Sequence, residues 1–249
     1  MKWIFLSPHL DDVVFSCGGF IWDLTSSGQE VEVWTVCAAD PPPGKLSPFA
    51  AGLHNDWGLG DDAYQSRRRE DRSACQILGA ITRYLDYHDC IYRRAPEGDY
   101  YYQSEEGIFG GLDVREANLI DRLAEDLEST LPDKAHLIAP LGIGNHVDHE
   151  FTRKAASRLS RYPYYYADYP YAREGDGREI IKFINSADNW RGEIFPISDN
   201  GLRKWFEASR AYASQLSVFW ENEAALDIEI NQFSAILEGI TLWKTTSKE

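Results

Sequence analysis

The chain has 249 residues, of which 43% are hydrophobic and 13% aromatic, and its formal net charge is −15. This length and apolar content suit one large core, so we expect a single domain over residues 1–249. A surface this acidic repels phosphate backbones and anionic lipids, so neither nucleic acid nor a membrane is an expected partner.

Strands and helices alternate at the start of the chain. Trp3–Leu6 and Val31–Val36 are short apolar runs typical of buried strands. The largely apolar stretch Val13–Leu24 ends at serines and a glycine, which predicts a helix between them. A strand, a helix and a second strand within about 35 residues predict a parallel sheet.

The alternation continues through the rest of the chain, interrupted by two long irregular stretches. In chain order we expect a loop over 40–62, a helix near 63–78, a strand at 81–85, an irregular stretch over 95–112, a helix over 114–131, a strand at 136–140, and helices near 149–161 and 199–223. This order predicts an α/β, Rossmann-like three-layer fold with a mostly parallel sheet. Long loops in a compact domain are often functional, and open parallel sheets bind ligands at the carboxyl ends of their strands.

We expect neither a membrane anchor nor a secretion signal. No apolar run approaches the roughly 20 residues that span a bilayer. Residues 3–6 are too few for the apolar region of a signal peptide. Cys17, Cys37, Cys75 and Cys90 form no C-x-x-C pair, which favours reduced thiols and a cytoplasmic protein.

Two polar motifs follow apolar strands, SPHLDDVVFSCGG at 7–19 and NHVDHE at 145–150. Buried charge is costly unless it is paired or binds a metal. Each motif alone is equally well explained by helix capping or by surface residues. Together, at matching positions of a βα fold, they predict a metal site and active site at the carboxyl ends of the strands. The histidines and acids of the two motifs are His9, Asp11, Asp12, His146, Asp148 and His149.

The two motifs resemble the signatures of the PIG-L/LmbE family of metal-dependent N-acetylglucosaminyl deacetylases. That family has a PHPDDE-like segment after the first strand and an HPDH-like segment late in the chain. Weaker similarities are an Arg-x-x-Glu pair at 67–70, LDYHD at 85–89, ADYPYA at 167–172 and AYASQL at 211–216. The chain departs from the family pattern at Leu10, Val13 and Val147, and none of these positions is a ligand.

The resemblance implies that His9, Asp12 and His149 are the metal ligands, with Zn²⁺ as the expected metal and Fe²⁺ or another divalent ion as an alternative. Three protein ligands leave a position open for water, as in catalytic zinc sites. Two histidines and one carboxylate also describe the non-haem iron oxygenases. Those enzymes normally have a β-barrel, whereas this chain alternates strands and helices, so an oxygenase is the more distant alternative.

The resemblance also implies the catalytic roles. Asp11 is expected to be the general base and His146 to face the oxyanion, while Asp148 would orient the His146 ring and keep it protonated. The expected reaction is hydrolysis of an N-acetyl group on an amino sugar such as N-acetylglucosamine, helped by a metal that polarises the carbonyl.

Three further residues are candidates for substrate binding. Arg67 matches a substrate-contacting arginine of the family, although a salt-bridged helix surface explains most such basic clusters. Asp89 would bind sugar hydroxyls or cap a strand end, and Asp168 would hydrogen-bond a ligand.

The alternatives to a deacetylase are a metal-dependent amidase acting on another amide, such as a thiol conjugate, and a sugar-binding module without turnover. The expected partner is a small molecule. The sequence leaves open whether the chain forms a homo-oligomer, because the aromatic stretch at 162–172 suits an interface as well as a lid.

Overall fold

The computed structural model describes residues 1–60, 62–173 and 176–246. Its strands are β1 (Lys2–Ser7), β2 (Glu30–Thr35), β3 (Ile81–Tyr84), β4 (Ala135–Pro140), β5 (Tyr164–Tyr166), β6 (Trp190–Phe195) and β7 (Ile240–Thr245). Its α-helices are α1 (Asp12–Ser26), α2 (Pro48–Asp56), α3 (Ala63–Ile77), α4 (Glu105–Ile108), α5 (Ala117–Thr130), α6 (Val147–Ser157), α7 (Asp176–Ser186), α8 (Asp199–Ser209), α9 (Ala213–Phe219) and α10 (Glu223–Ile236). Short 3₁₀ turns cover Cys90–Tyr92, Val114–Glu116 and Tyr171–Arg173.

The seven strands form one sheet in the order β3-β2-β1-β4-β5-β7-β6. The first five strands are parallel, and β7 runs antiparallel to both of its neighbours. In the centre Phe5 pairs with Val33 on one side and with Ile138 on the other, and all three are buried. The α/β fold with a mostly parallel sheet is therefore confirmed.

The strand order reverses between β1 and β4, because the chain goes from β1 towards one edge and from β4 towards the other. In open α/β sheets ligands bind outside the carboxyl ends of the strands at such a reversal. The loops that leave β1 and β4 carry the two polar motifs, so the topology brings both motifs to this position.

The structure differs from the sequence prediction in the two irregular stretches and towards the C-terminal end. Helix α4 lies inside the predicted irregular stretch 95–112. Helix α2 lies inside the predicted loop 40–62, where Ser47 caps it through a 3.0 Å bond from Ala50 N and Pro48 occupies its first turn. The predicted helix at 199–223 is two helices, α8 and α9. Strands β6 and β7 and helices α7 and α10 were not predicted.

Among the described residues, no helix has the length and apolar character needed to cross a bilayer.

Helices α1 and α8 are in close contact through small residues. A Cβ added to Gly18 would lie 2.5 Å from Cδ1 of Trp205, whose side chain is fully buried. Glycine is required at this position because any larger residue would displace the indole from the core. Cys17 beside it is a free, buried thiol, as are the other three cysteines.

We expect Gly18→Ala to destabilise the protein by about 1–3 kcal/mol, the usual cost of adding volume to a filled core. Gly52→Ala in α2 is the matched control, since a Cβ there meets no atom within 4 Å. The control should be neutral or stabilising by up to about 1 kcal/mol because alanine favours helix. Urea unfolding of both variants measures the difference, and equal stabilities would contradict the packing argument.

A buried acid joins α3 to two other elements. Asp71 accepts hydrogen bonds from the hydroxyls of Tyr84 at 2.9 Å, at the end of β3, and of Tyr212 at 2.8 Å, just before α9. Burial raises the pKa of Asp71 to about 6, although both hydroxyls oppose this shift. The folded protein therefore binds this proton more tightly than the unfolded chain does.

It follows that Asp71 lowers stability as the pH rises from about 4 to 6, by on the order of 2–3 kcal/mol, with no further change above that range. Asp71→Asn should remove this part of the pH dependence. Thermal unfolding of the wild type and the variant at pH 4 to 7 measures it, with the exposed Asp133→Asn as control. Parallel curves for wild type and Asp71→Asn would show that the acid is not protonated in the folded protein.

Candidate metal centre and active site

The side chains of the two motifs meet above the carboxyl ends of β1 and β4. His9 lies in the loop after β1, Asp12 is the first residue of α1, and His149 is in the first turn of α6. One carboxylate oxygen, Asp12 Oδ2, lies 3.2 Å from His9 Nδ1 and 3.3 Å from His149 Nε2. Two segments far apart in sequence therefore share one point in space.

The second nitrogen of each ring is held by a buried carboxylate. His9 Nε2 lies 2.9 Å from Asp148 Oδ2, and His149 Nδ1 lies 2.7 Å from Asp168 Oδ1. Metal-binding histidines almost always have such a partner, which fixes the ring orientation and the tautomer. Both rings thus direct their remaining nitrogen towards Asp12.

These donors fit a divalent metal. Tetrahedral zinc with ligands at 2.0–2.1 Å places ligand atoms roughly 3.3–3.4 Å apart, close to the two distances measured from Asp12. His9, His146 and His149 form a second grouping, with ligand atoms within 4.8 Å of one another. Both groupings share His9 and His149. Asp12 Oδ2 lies near both rings and also accepts a hydrogen bond from His9 N at 2.7 Å, while His146 accepts one at Nδ1, so Asp12 and His146 are both candidates for the third ligand.

The charges around the two histidines favour a cation. Burial alone would lower the pKa of His9, but its hydrogen bonds to Asp12 and Asp148 raise it well above the ordinary value. Burial also opposes the charged form of His149, and the negative charges of Asp12 and Asp168 raise its pKa to about 10. The carboxylates here outnumber the fixed positive charges, so the centre stabilises either protonated imidazoles or a metal ion.

Asp11 lies beside the candidate ligands without capping the helix that follows. It occupies the N-cap position of α1, but its side chain makes no capping hydrogen bond. Its Oδ2 instead lies 3.3 Å from Nη2 of Arg67, which is 4% exposed and also packs 4.7 Å from the centre of the Trp57 ring. Burial raises the pKa of Asp11 to about 6, against the opposing charge of Arg67. A carboxylate with this pKa can both accept and release a proton near neutral pH.

The structure corrects the expected relation between Asp148 and His146. The carboxylate of Asp148 contacts His9, and only its backbone N–H reaches the His146 ring, donating to Nδ1 at 3.2 Å. Burial, with the nearby His9, lowers the pKa of His146 to about 3, so the ring is neutral rather than protonated. With Nδ1 accepting a hydrogen bond, the neutral tautomer carries its proton on Nε2.

Asp168 is also placed differently from the prediction that it contacts a ligand. It is fully buried behind His149, and its second oxygen accepts a hydrogen bond from Ile143 N at 2.9 Å. Asp89 faces the site and also caps the 3₁₀ turn after it, accepting from Ile91 N at 3.2 Å. Asp89 thus caps this turn rather than the end of a strand, and its contact with substrate stays a prediction.

A cavity of about 160 Å³ opens over this centre. Its polar lining, the floor, consists of His9, Asp11, Asp12, Arg67, Asp89, His146 and Gln215. Its apolar lining, the rim, comes from both predicted long loops, from the 3₁₀ turns at 90–92 and 171–173 and from α9, with the side chains Leu53, Trp57, Ile91, Ile108, Phe109, Tyr171, Val218 and Phe219. A larger cavity of about 640 Å³ is lined by Arg93 and Glu116 among others and by no residue of the two motifs.

Comparison with known proteins agrees with this geometry. The model of the family PIG-L: GlcNAc-PI de-N-acetylase matches residues 4–160, more than half of the chain and both motifs. The chain belongs to the PIG-L family. The members it resembles are named as deacetylases, which makes it a metal-dependent deacetylase by family.

Two curated relatives and one solved structure illustrate the likeness. The 2'-N-acetylparomamine deacetylase of Niallia circulans is 30% identical over 207 residues, covering 76% of this chain and 71% of that one. A protein of the same name from Streptomyces fradiae is 24% identical over 196 residues, covering 74% and 62%. The zinc inhibited form of a teicoplanin deacetylase has a TM-score of 0.81 at 26% identity, over 98% and 97% of the two chains.

Some residues of this PIG-L site were not found from the sequence. Trp57, Phe109 and Phe219 carry no motif, since each lies at the end of a short helix and none is part of a recognisable pattern. Arg93 was also missed, although it is buried and contacts Asp148. The one available signal was the pair Arg93-Arg94, separated from the end of the LDYHD segment by three residues.

We expect His149→Ala to lose bound metal, because it removes one ring that faces Asp12. Elemental analysis of protein purified without a metal-binding tag should give about one equivalent of zinc or iron for the wild type and less than about a tenth for the variant. His136→Ala is the control, since His136 lies near the amino end of β4, away from the site. Equal metal contents in wild type and His149→Ala would remove His149 from the ligand set.

Proposed function

We propose that the protein is a zinc-dependent, cytoplasmic hydrolase of one domain that removes the N-acetyl group from an amino sugar within a small molecule. The observation that supports this most strongly is the pair of histidines that face Asp12 Oδ2 while buried carboxylates hold their other nitrogens. The substrate class is supported by the relatives, which are named for N-acetylparomamine and for teicoplanin. Iron would fit the same donors.

Asp11 is proposed as the general base. A divalent metal held by His9, Asp12 and His149 would polarise the acetamide carbonyl and lower the pKa of a water. Asp11 lines the cavity next to these ligands, and Arg67 holds its carboxylate in place. The carboxylate takes the proton of the attacking water and then delivers it to the departing amine, so that acetate and a free amine result.

His146 is proposed to stabilise the oxyanion. Its ring lines the same cavity, and the bond from Asp148 N to Nδ1 leaves Nε2–H as the free donor. A neutral imidazole donates this hydrogen bond without needing a positive charge. Donors that are oriented before the reaction contribute to catalysis because they need no rearrangement when charge develops.

The shape of the cavity suits a small polar group attached to a larger body. The floor carries the acids and histidines, and the rim presents aromatic faces such as Trp57, Phe109 and Phe219. We infer that the acetamido group enters the floor, and that the sugar and the rest of the molecule contact the rim. Arg67 and Asp89, both in the floor, are the proposed substrate contacts.

Asp11→Asn should lower kcat by about 10²- to 10⁴-fold, the usual contribution of a general base, while zinc stays bound. Asp12→Asn is the neighbouring control and should lose both zinc and turnover. Acetate release from N-acetylglucosamine and from 2'-N-acetylparomamine, with zinc content measured alongside, tests both variants. Wild-type turnover by Asp11→Asn would disprove the base assignment. A wild type that hydrolyses only other amides would favour the amidase alternative.

A further inference from the structure

A cluster of buried charged residues contacts His9 through Asp148, and its members do not line the 160 Å³ cavity. Asp148 is fully buried, and besides His9 it contacts the backbone N–H of Cys90 at 2.9 Å and the Nη1 of Arg93. Arg93 is 6% exposed and also pairs with Glu116, which is 3% exposed, with Nε and Oε1 separated by 2.6 Å. One arginine thus links the residue that holds His9 to a second buried acid.

Stability alone does not account for this arrangement. Taking charges out of water costs free energy that their attraction often fails to repay, and well-packed apolar residues commonly do as well or better. Asp148 and Glu116 carry two negative charges and Arg93 one positive charge, so the cluster has one excess negative charge. Asp148 is the member of the cluster that contacts His9. The cluster is therefore better explained by its effect on the position of the His9 ring.

The geometry requires an arginine rather than any cation. The guanidinium donates to Asp148 through Nη1 and to Glu116 Oε2 through Nη2 at 3.3 Å, two directions that its planar fork offers at once. The rings of Tyr102 and Phe151 lie 5.5 and 5.4 Å from its central carbon. Tyr102 also donates its hydroxyl hydrogen to Glu116, so the acid that holds the arginine is itself held.

We propose that Arg93, held by Glu116, is a positioning residue that fixes Asp148 on His9 and thereby sets the metal affinity of the centre. This rests on the proposed function, in which His9 is a metal ligand. Loss of a group that orients a ligating histidine typically weakens metal binding 10- to 100-fold. Glu116 lies just before α5, so the segment that follows the irregular stretch 95–112 contacts the proposed metal centre through Arg93.

The test is the zinc dissociation constant, measured by competition with a chelator at fixed pH and without substrate. Arg93→Met should bind zinc about 10- to 100-fold more weakly than the wild type, Arg93→Lys should recover part of the loss, and Glu116→Gln should show a smaller loss. Arg94→Met is the matched control, because Arg94 is adjacent but exposed and pairs with Tyr100. Its zinc affinity should equal that of the wild type.

Kinetics at buffered free zinc separate positioning from a general structural defect. When zinc saturates the Glu116→Gln and Arg93→Lys variants, kcat should return to the wild-type value with KM unchanged. Glu116→Gln and Arg93→Lys keep a cation beside Asp148, so they test the proposal even if Arg93→Met does not fold. A kcat that stays low at saturating zinc, or wild-type zinc affinity in all three variants, overturns the proposal. A wild type that binds zinc but releases no acetate overturns the proposed function and leaves this inference standing.

Discussion

The centre depends on the pairing of buried carboxylates with hydrogen-bond donors and positive charge. The buried acids Asp11 and Asp12 follow β1, Asp148 lies in the first turn of α6, and Asp168 follows β5. Each has a defined partner: an arginine, a histidine ring or a backbone N–H. An unpaired charge at any of these positions would be costly, so the ring orientations and the loop positions follow from the need to satisfy them.

This pairing also separates the roles of acids that look alike in the sequence. Asp11 and Asp12 are adjacent, but the first faces Arg67 and the cavity while the second faces two imidazoles. Asp148 and Asp168 lie behind the histidines and do not line the cavity. Environment rather than residue type thus distinguishes Asp11, the proposed base, from the carboxylates that hold a ring, as in enzymes that use several acids.

Much of the fold was predictable because its signals are local. The apolar runs at β1, β2 and β4 and the periodicity of α5 lie within single segments, and the two motifs follow strands. The relation between Asp148 and His9 was not predictable, since residues close in sequence suggested His146 as the partner, whereas the pairing of β1 with β4 decides it. The same holds for Arg93 and for the aromatic rim, which are brought to the centre only by tertiary packing.

The pairing of β1 with β4 also has a consequence for the newly made chain. Phe5 pairs with Ile138, and His9 meets Asp148, so the two halves of the centre are more than half the chain apart. At about 5–20 residues per second, a ribosome needs roughly 7–28 s to make the intervening segment. During that time His9 and Asp12 have no His149 beside them. The proposed metal site is therefore complete only after β4 and α6 have been made, and a truncated chain that ends before them lacks it.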